Sequence, residues 1–267
     1  MKRIVVKIGT STVTYGTGKP NLRIIEKYVR VMADLHNRGH EIVFVSSGAI
    51  AVGVAKLKIE RPENIPEKQA VAAVGQSELI NIYDSLFNDY GSQIGQILLT
   101  RDVITDAEKI KNVTNTFDAL FNMGCIPVVN ENDSVDVEEI KFGDNDNLSA
   151  IVADLIKADI LILLTDIDAL YDKDPKTDPN AKKITVVNEV TEEIKKIAGN
   201  PGTKRGTGGM ATKIKAAKFA TEKGITVAIG SGKDPEIIYD FIEGKNPGTI
   251  FIPKKTKIYD NFYSGKN

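Results

Sequence analysis

The chain has no tryptophan and only one cysteine, Cys125, in 267 residues. A single cysteine excludes an intrachain disulfide and any thiolate metal cluster. Cys125 stands in Gly-Cys-Ile-Pro-Val-Val at the mouth of an apolar segment, with no histidine near it in sequence, so it reads as a buried spectator. The only histidines are His36 and His40, which flank the end of one predicted helix, so a Ser-His-Asp hydrolase or a histidine-rich metal centre is poorly supported. An excess of charge is missing as well. Lys plus Arg number 35 and Asp plus Glu 36, a formal net charge of −1, without the basic surplus that a nucleic-acid binder shows. No apolar run is long enough to span a membrane, and Lys7 interrupts the apolar start too soon for a signal peptide. The expected location is the cytoplasm, with neither nucleic acid nor membrane as partner.

What is present is an ordinary soluble composition, 42% apolar with interspersed charge, in a strand–helix alternation. Strands are expected at Arg3 to Ile8, Glu41 to Val45, Gln93 to Thr100, Cys125 to Asn130, Ala158 to Leu164, Ile225 to Ile229 and Thr249 to Ile252. Leu22, Ile25, Val29, Met32 and Leu35 mark the apolar face of a helix with Asn21 as a possible cap. Further helices are expected after Ser46-Ser47-Gly48-Ala49, over Glu67 to Asn88 behind a connector from Glu60 to Pro66, and over Val113 to Asn122. Others follow from Leu148, over Glu192 to Ala198, up to Lys223, and over Pro235 to Glu243. Val135 to Phe142 reads as a short strand or hairpin arm, Tyr171 to Asn180 as a loop at a lobe boundary, and the tail after Pro253 as polar. This order is that of a parallel sheet covered on both faces.

Open sheets of this kind bind ligands beyond the carboxyl ends of their strands. Those ends carry Lys7-Ile8-Gly9-Thr10-Ser11, Ser46-Ser47-Gly48-Ala49, Asn130-Glu131-Asn132-Asp133 and Thr165-Asp166, small or polar groups gathered at one edge. Gly143-Asp144-Asn145-Asp146-Asn147 adds two carboxylates and two carboxamides at a helix entrance, where a single cap residue would suffice. Asp144 and Asn147 compete for that capping role. Gly206-Thr207-Gly208-Gly209-Met210-Ala211-Thr212-Lys213 is a second glycine-dense helix entrance, either a mobile surface loop or a phosphate cradle. It is not a dinucleotide fingerprint, because no strand precedes it, and Gly230-Ser231-Gly232-Lys233 lacks the spacing of a Walker A loop. Lys7 closes an apolar strand and must reach solvent or meet an anion, while Lys213 sits in a first helical turn, where the dipole disfavours a cation. A polyphosphate between the two would account for both.

Taken together and in this order, these motifs resemble the glutamate 5-kinase family of the amino acid kinase superfamily, over Lys2 to about Ile252. The resemblance implies a three-layer α/β/α sandwich with a mainly parallel central sheet in one domain, 1–253. About 1–170 would bind the acceptor and about 171–253 the nucleotide, with 254–267 as a tail. It implies ATP-dependent phosphorylation of the side-chain carboxylate of L-glutamate, the first step of proline biosynthesis, with Mg²⁺ as cofactor. By motif match, Lys7 and Lys213 contact the ATP phosphates and Asp146 organises the two lysines. Ser47, Gly48, Asn130, Asp133, Asp144 and Asn145 match acceptor-binding positions. Gly9, Thr10, Thr165, Asp166, Thr207, Gly208, Gly209, Met210, Ala211 and Thr212 match the nucleotide site. No residue is assigned as a direct metal ligand. The resemblance also implies a homo-oligomer and handover of product to glutamyl phosphate reductase. Many members carry a further C-terminal domain of the RNA-modification-enzyme type, and this sequence ends soon after the last expected strand.

Elementary chemistry agrees. A carboxylate acceptor, with an intrinsic pKa of about 4.3, is already ionised at neutral pH and needs no general base, which suits a site with lysines and no histidine. Negative charge at Asp133 and Asp144, with Glu131 as a further candidate, offers a partner to a free α-ammonium group, which favours glutamate over its N-acetylated form. The alternatives are a superfamily enzyme with another acceptor, a non-catalytic nucleotide or amino-acid sensor, and a plain NAD-binding protein.

Overall fold

The apolar runs pair as strands in the computed structural model, which describes residues 1–135, 145–175, 177–199 and 209–254. In chain order the strands are β1 (Arg3–Ile8), β2 (Glu41–Val45), β3 (Gln93–Leu99), β4 (Cys125–Glu131), β5 (Ile160–Thr165), β6 (Leu170–Tyr171), β7 (Lys183–Ile184), β8 (Val186–Val187), β9 (Thr226–Ser231) and β10 (Thr249–Phe251). The helices are α1 (Thr10–Val13), α2 (Leu22–Asn37), α3 (Ala49–Leu57), α4 (Ile65–Asp89), α5 (Ala107–Asn122), α6 (Asn145–Leu155), α7 (Glu192–Ala198), α8 (Met210–Glu222) and α9 (Ile237–Ile242). One sheet runs in the order β3-β4-β2-β1-β5-β9-β10-β8, and β6 pairs with β7 apart from it. Neighbours in the large sheet are parallel except β9 and β10. This is the mainly parallel α/β architecture expected from the alternation of strands and helices.

Alternation along β1 sets the layers. Ile4, Val6 and Ile8 face one core with Ile25 and Met32 of α2, Tyr83 of α4 and Phe241 of α9. Val5 faces the other core with Leu148 and Val152 of α6 and Ile214 and Ala217 of α8. Side chains on a strand repeat with period two, so Lys7 shares the face of Val5, under α6 and α8. Each fully buried aliphatic side chain here contributes about 1.5–3 kcal/mol relative to exposure.

Several expectations shift. The helix expected from Leu148 begins at Asn145, so Asn147 lies within its first turn and is not the cap. Asp144, the other candidate, lies outside the described residues, as does the expected arm beyond Val135. Leu22, read as core, is 56% exposed, and the buried face of α2 is carried by Ile25, Tyr28, Val29, Met32 and Leu35. Asn21 does cap that helix, accepting from the Ile24 amide. The connector before α4 ends at Asn64, whose side chain accepts from Glu67 N at 2.9 Å. Pro66 then falls in the first turn, where its missing N–H costs nothing. Cys125 is half-buried rather than buried. Tyr171, read as the start of a loop, closes β6, and the two short strands β7 and β8 follow beyond Asn180, where no element is expected from the sequence.

α3 and α4 meet backbone to backbone. A methyl group on Gly53 would lie 2.0 Å from Val71 O, and one on Gly75 would lie 1.8 Å from Ala49 O. Gly53→Ala is therefore expected to destabilise the protein by about 2 kcal/mol or more, despite a gain of about 1 kcal/mol in helix propensity. Urea denaturation checks this. A neutral or stabilising result would mean that the helices separate at no cost.

Candidate active site

The polar strand ends converge on α6. Its first two described residues, Asn145 and Asp146, are 1% and 0% exposed, because the helix enters directly above the carboxyl edge of β1, β2 and β4. Asp146 divides its oxygens between two lysines. Lys7 Nζ donates to Oδ1 at 2.6 Å, while Lys213 Nζ at 3.1 Å and Thr212 Oγ1 at 2.7 Å donate to Oδ2. Lys7 and Lys213 are 5% and 3% exposed. Burial pushes the Asp146 carboxyl up, but the two ammonium charges and the hydrogen bonds from Lys7 and Thr212 outweigh it and hold the group down at about 2. The cluster is one carboxylate between two cations, a surplus of one positive charge in a low-dielectric wall.

Asn145 organises the neighbouring half. Its Nδ2 lies 2.6 Å from Ser46 O, 2.7 Å from Asn130 Oδ1 and 3.1 Å from Ser47 Oγ. Its Oδ1 is buried and finds no hydrogen-bond partner among the described residues. Ser46 and Ser47 are held by the turn into α3, where Gly48 adopts a φ of +101°. That left-handed conformation favours glycine, and a side chain there would press on Thr10 and Val13 of α1. Asp133, in the turn after β4, is 6% exposed. Lys7, Asp146, Thr212 and Lys213 thus form one hydrogen-bonded group and Ser46, Ser47, Asn130 and Asn145 an adjoining one, with Gly48 in the turn that carries the two serines.

Thr165 and Asp166 lie one strand further along the edge. Thr165 Oγ1 donates to Asp166 Oδ1 at 3.0 Å, and Gly232 N donates to Thr165 O at 2.6 Å. Tyr28 donates its hydroxyl to Gly232 O at 2.9 Å, tying α2 to the end of β9. These elements border a cleft of about 390 Å³, whose lining includes Ser11, Thr12, Arg23, Lys27, Asp166 and Lys233. Gly9 precedes α1 and Thr10 begins it, while Gly209 precedes α8 and Met210 and Ala211 occupy its first turn. Thr207 and Gly208 lie outside the described residues. Gly230 to Lys233 lacks Walker A spacing yet lines this cleft through Gly232 and Lys233, and Arg23 and Lys27 are mere surface cations of α2 until α2 is placed beside β9. The contact of Thr212 with Asp146 has no sign in the sequence, since only the fold brings two positions 66 residues apart together.

Residues 2–231 match the amino acid kinase family. The chain is 55% identical over 255 residues to the glutamate 5-kinase of Clostridium acetobutylicum, covering 95% of this chain and 96% of that one. It is 54% identical to the glutamate 5-kinase of Clostridium perfringens, with the same coverages. The glutamate 5-kinase of Thermoanaerobacter sp. is 52% identical, with 96% of this chain matching 69% of that longer one. Among solved structures, a carbamate kinase from Giardia lamblia bound to AMP-PNP superposes with a TM-score of 0.67 at 15% identity, covering 94% of this chain and 98% of that one. A UMP kinase from Ureaplasma parvum gives a TM-score of 0.63 at 16% identity, with the same coverages. These distant likenesses concern the fold alone.

The depressed value of Asp146 has a defined pH signature. A folded value below the unfolded 3.8 means that the contribution to stability is complete well above pH 3.8 and is lost as the pH falls through about 2. Asp146→Asn is expected to cost about 3–5 kcal/mol, because two buried ammonium groups lose their counter-charge. It should also flatten that acid limb. Urea titrations of both proteins at descending pH check this, and an unchanged limb would show that another group titrates there.

Proposed function

Because the chain belongs to the amino acid kinase family, we propose that it transfers the γ-phosphoryl group of ATP to the side-chain carboxylate of L-glutamate. A carboxylate oxygen forms a bond to the γ-phosphorus, the bond from that phosphorus to the β–γ bridging oxygen breaks, and ADP departs with the electron pair. The product is L-glutamyl 5-phosphate, the first intermediate of proline biosynthesis. No proton moves, so no general base is required. The observation that carries this reading is the buried pair Lys7 and Lys213 held on opposite oxygens of Asp146. Two anions must meet during transfer, and preorganised ammonium groups stabilise the charge that develops in the transition state. Relatives at 55% and 54% identity, named glutamate 5-kinase, support glutamate as the acceptor.

In this proposal Lys7, Gly9, Thr10 and the start of α8 from Gly209 to Lys213 receive the phosphates, together with Thr207 and Gly208. Thr165 and Asp166 receive the rest of the nucleotide. Ser47, Gly48, Asn130 and Asn145 hold the amino acid, with Asp144 beside them, and Asp133 meets its α-ammonium group. About 1–170 supplies most of the acceptor part and about 171–253 most of the nucleotide part, with Lys7, Gly9, Thr10, Thr165 and Asp166 reaching the nucleotide from the first. Mg²⁺ bound together with ATP would supply neutralisation of part of the phosphate charge. It usually binds through substrate phosphates and retained waters rather than a protein cage. Asp146 is already engaged by the two lysines. No helix among the described residues is long and apolar enough to cross a membrane. The proposal includes a cytoplasmic location, a homo-oligomer, and handover to glutamyl phosphate reductase, since an acyl phosphate is labile in water.

With ATP, Mg²⁺ and hydroxylamine, the protein is expected to form the γ-glutamyl hydroxamate from L-glutamate and little product from N-acetylglutamate or aspartate. No hydroxamate from glutamate would refute the assignment. Lys213→Ala should lower kcat about 100-fold or more with a smaller change in the KM for glutamate. Asp133→Ala should raise that KM, and an unchanged KM would remove Asp133 from ammonium recognition.

A further inference from the structure

The acceptor half of the site is buttressed by α4, an element that contributes none of the residues assigned above. Asn130 connects the two. Its Oδ1 accepts from Asn145 Nδ2 at 2.7 Å and from the Glu131 amide at 2.9 Å, and its own Nδ2 donates to Gln76 Oε1 at 2.7 Å. The backbone fixes which way both amides point. The Glu131 N–H can only donate, so it requires Oδ1 of Asn130, while the Ser46 carbonyl can only accept, so it requires Nδ2 of Asn145. Once Asn130 is so oriented, its Nδ2 must find an acceptor, and Gln76 supplies it from α4.

The chain Gln76–Asn130–Asn145 ends on one atom. With Nδ2 of Asn145 engaged on Ser46, Ser47 and Asn130, Oδ1 is left as a buried acceptor without a partner among the described residues. A buried lone acceptor is unfavourable until something donates to it. A free ammonium group, with three donors, is the matching chemistry. Gly75 explains how α4 comes close enough. Its lack of a side chain lets α4 rest on Ala49 O at the mouth of the Ser46 to Ala49 turn, so adjacent residues of one helix support both walls of the pocket.

We propose that Gln76 is a positioning residue for the acceptor amino group, acting through Asn130 to hold Asn145 with its Oδ1 facing the ligand. This inference rests on the acceptor being an amino acid with a free amine. Removing the acceptor atom at position 76 releases Asn130 and blurs the placement of Asn145. The phosphoryl-transfer cluster of Lys7, Asp146 and Lys213 is left intact. The loss should therefore fall on binding of the amine and not on turnover.

The test compares wild type, Gln76→Leu and Gln76→Glu in the hydroxamate assay, with L-glutamate and with glutarate, which keeps both carboxylates and lacks the amine. Gln76→Leu is expected to raise the KM for glutamate about 10-fold, the order of one net hydrogen bond lost. The kcat, the KM for ATP and the activity with glutarate should stay unchanged, so the preference for glutamate over glutarate narrows. Gln76→Glu, which retains an oxygen acceptor, should stay near wild type. A wild-type KM in Gln76→Leu, equal losses in the Leu and Glu variants, or a parallel loss with ATP and glutarate would overturn the proposal. Should Gln76→Leu fail to fold, Gln76→Met, of similar length and without an acceptor, gives the same comparison. Absence of hydroxamate with wild-type protein would instead refute the functional reading, leaving the two failures distinguishable.

Discussion

An ionised carboxylate at zero exposure is the constraint on which the rest of this structure depends. Asp146 remains charged there because Lys7 and Lys213 approach it from different sides with a hydrogen bond from Thr212, and its carboxylate in turn supports both lysines inside. Desolvating such groups is expensive, and their mutual attraction offsets it only in good geometry. Three distant parts of the chain are thereby fixed together: the end of β1, the start of α6 and the start of α8. The two helices pack on each other along the same face of the sheet, so apolar contact and ion pairing impose the same arrangement.

The charged triad divides the carboxyl edge into two regimes. On one side, amide and hydroxyl groups of Ser46, Ser47, Asn130 and Asn145 form a neutral, directional network. On the other, the ends of β5 and β9 open onto a wider cleft bordered by Arg23, Lys27 and Lys233. A small amino acid suits the first and a polyanion the second. In the proposed reaction the phosphoryl group crosses at the boundary, where the fixed positive charge lies.

Much of this was legible in the sequence, and for identifiable reasons. Apolar runs such as Ile160–Thr165 can be little else but buried strands, and Lys7 and Lys213 stand out because each contradicts its local setting. Features that depend on distant partners were not legible. Gln76 is a half-buried glutamine in the middle of a helix until β4 comes to lie beside it, 54 residues further on. Asn145 and Asp146 resembled surplus cap polarity because a helix with two wholly buried polar residues in its first turn is unusual without a site to serve. The strand β8, two residues long, carries too little periodicity to be read, and β10 gives no local sign that it will run against β9.

The alternation along β1 carries a further consequence. β1 is paired on both sides, with Lys7 opposite Val45 of β2 and Leu163 of β5. Its pleat therefore works as a reading frame that assigns Ile4, Val6 and Ile8 to one core and Val5 and Lys7 to the other. A frame shift of one residue would deliver the ammonium group among Ile25, Met32 and Phe241 and expose isoleucine to Asp146. The chemistry of the site is thus specified by parity as much as by identity. A residue gained or lost within this strand would be felt at the reacting centre before it was felt in the shape of the molecule.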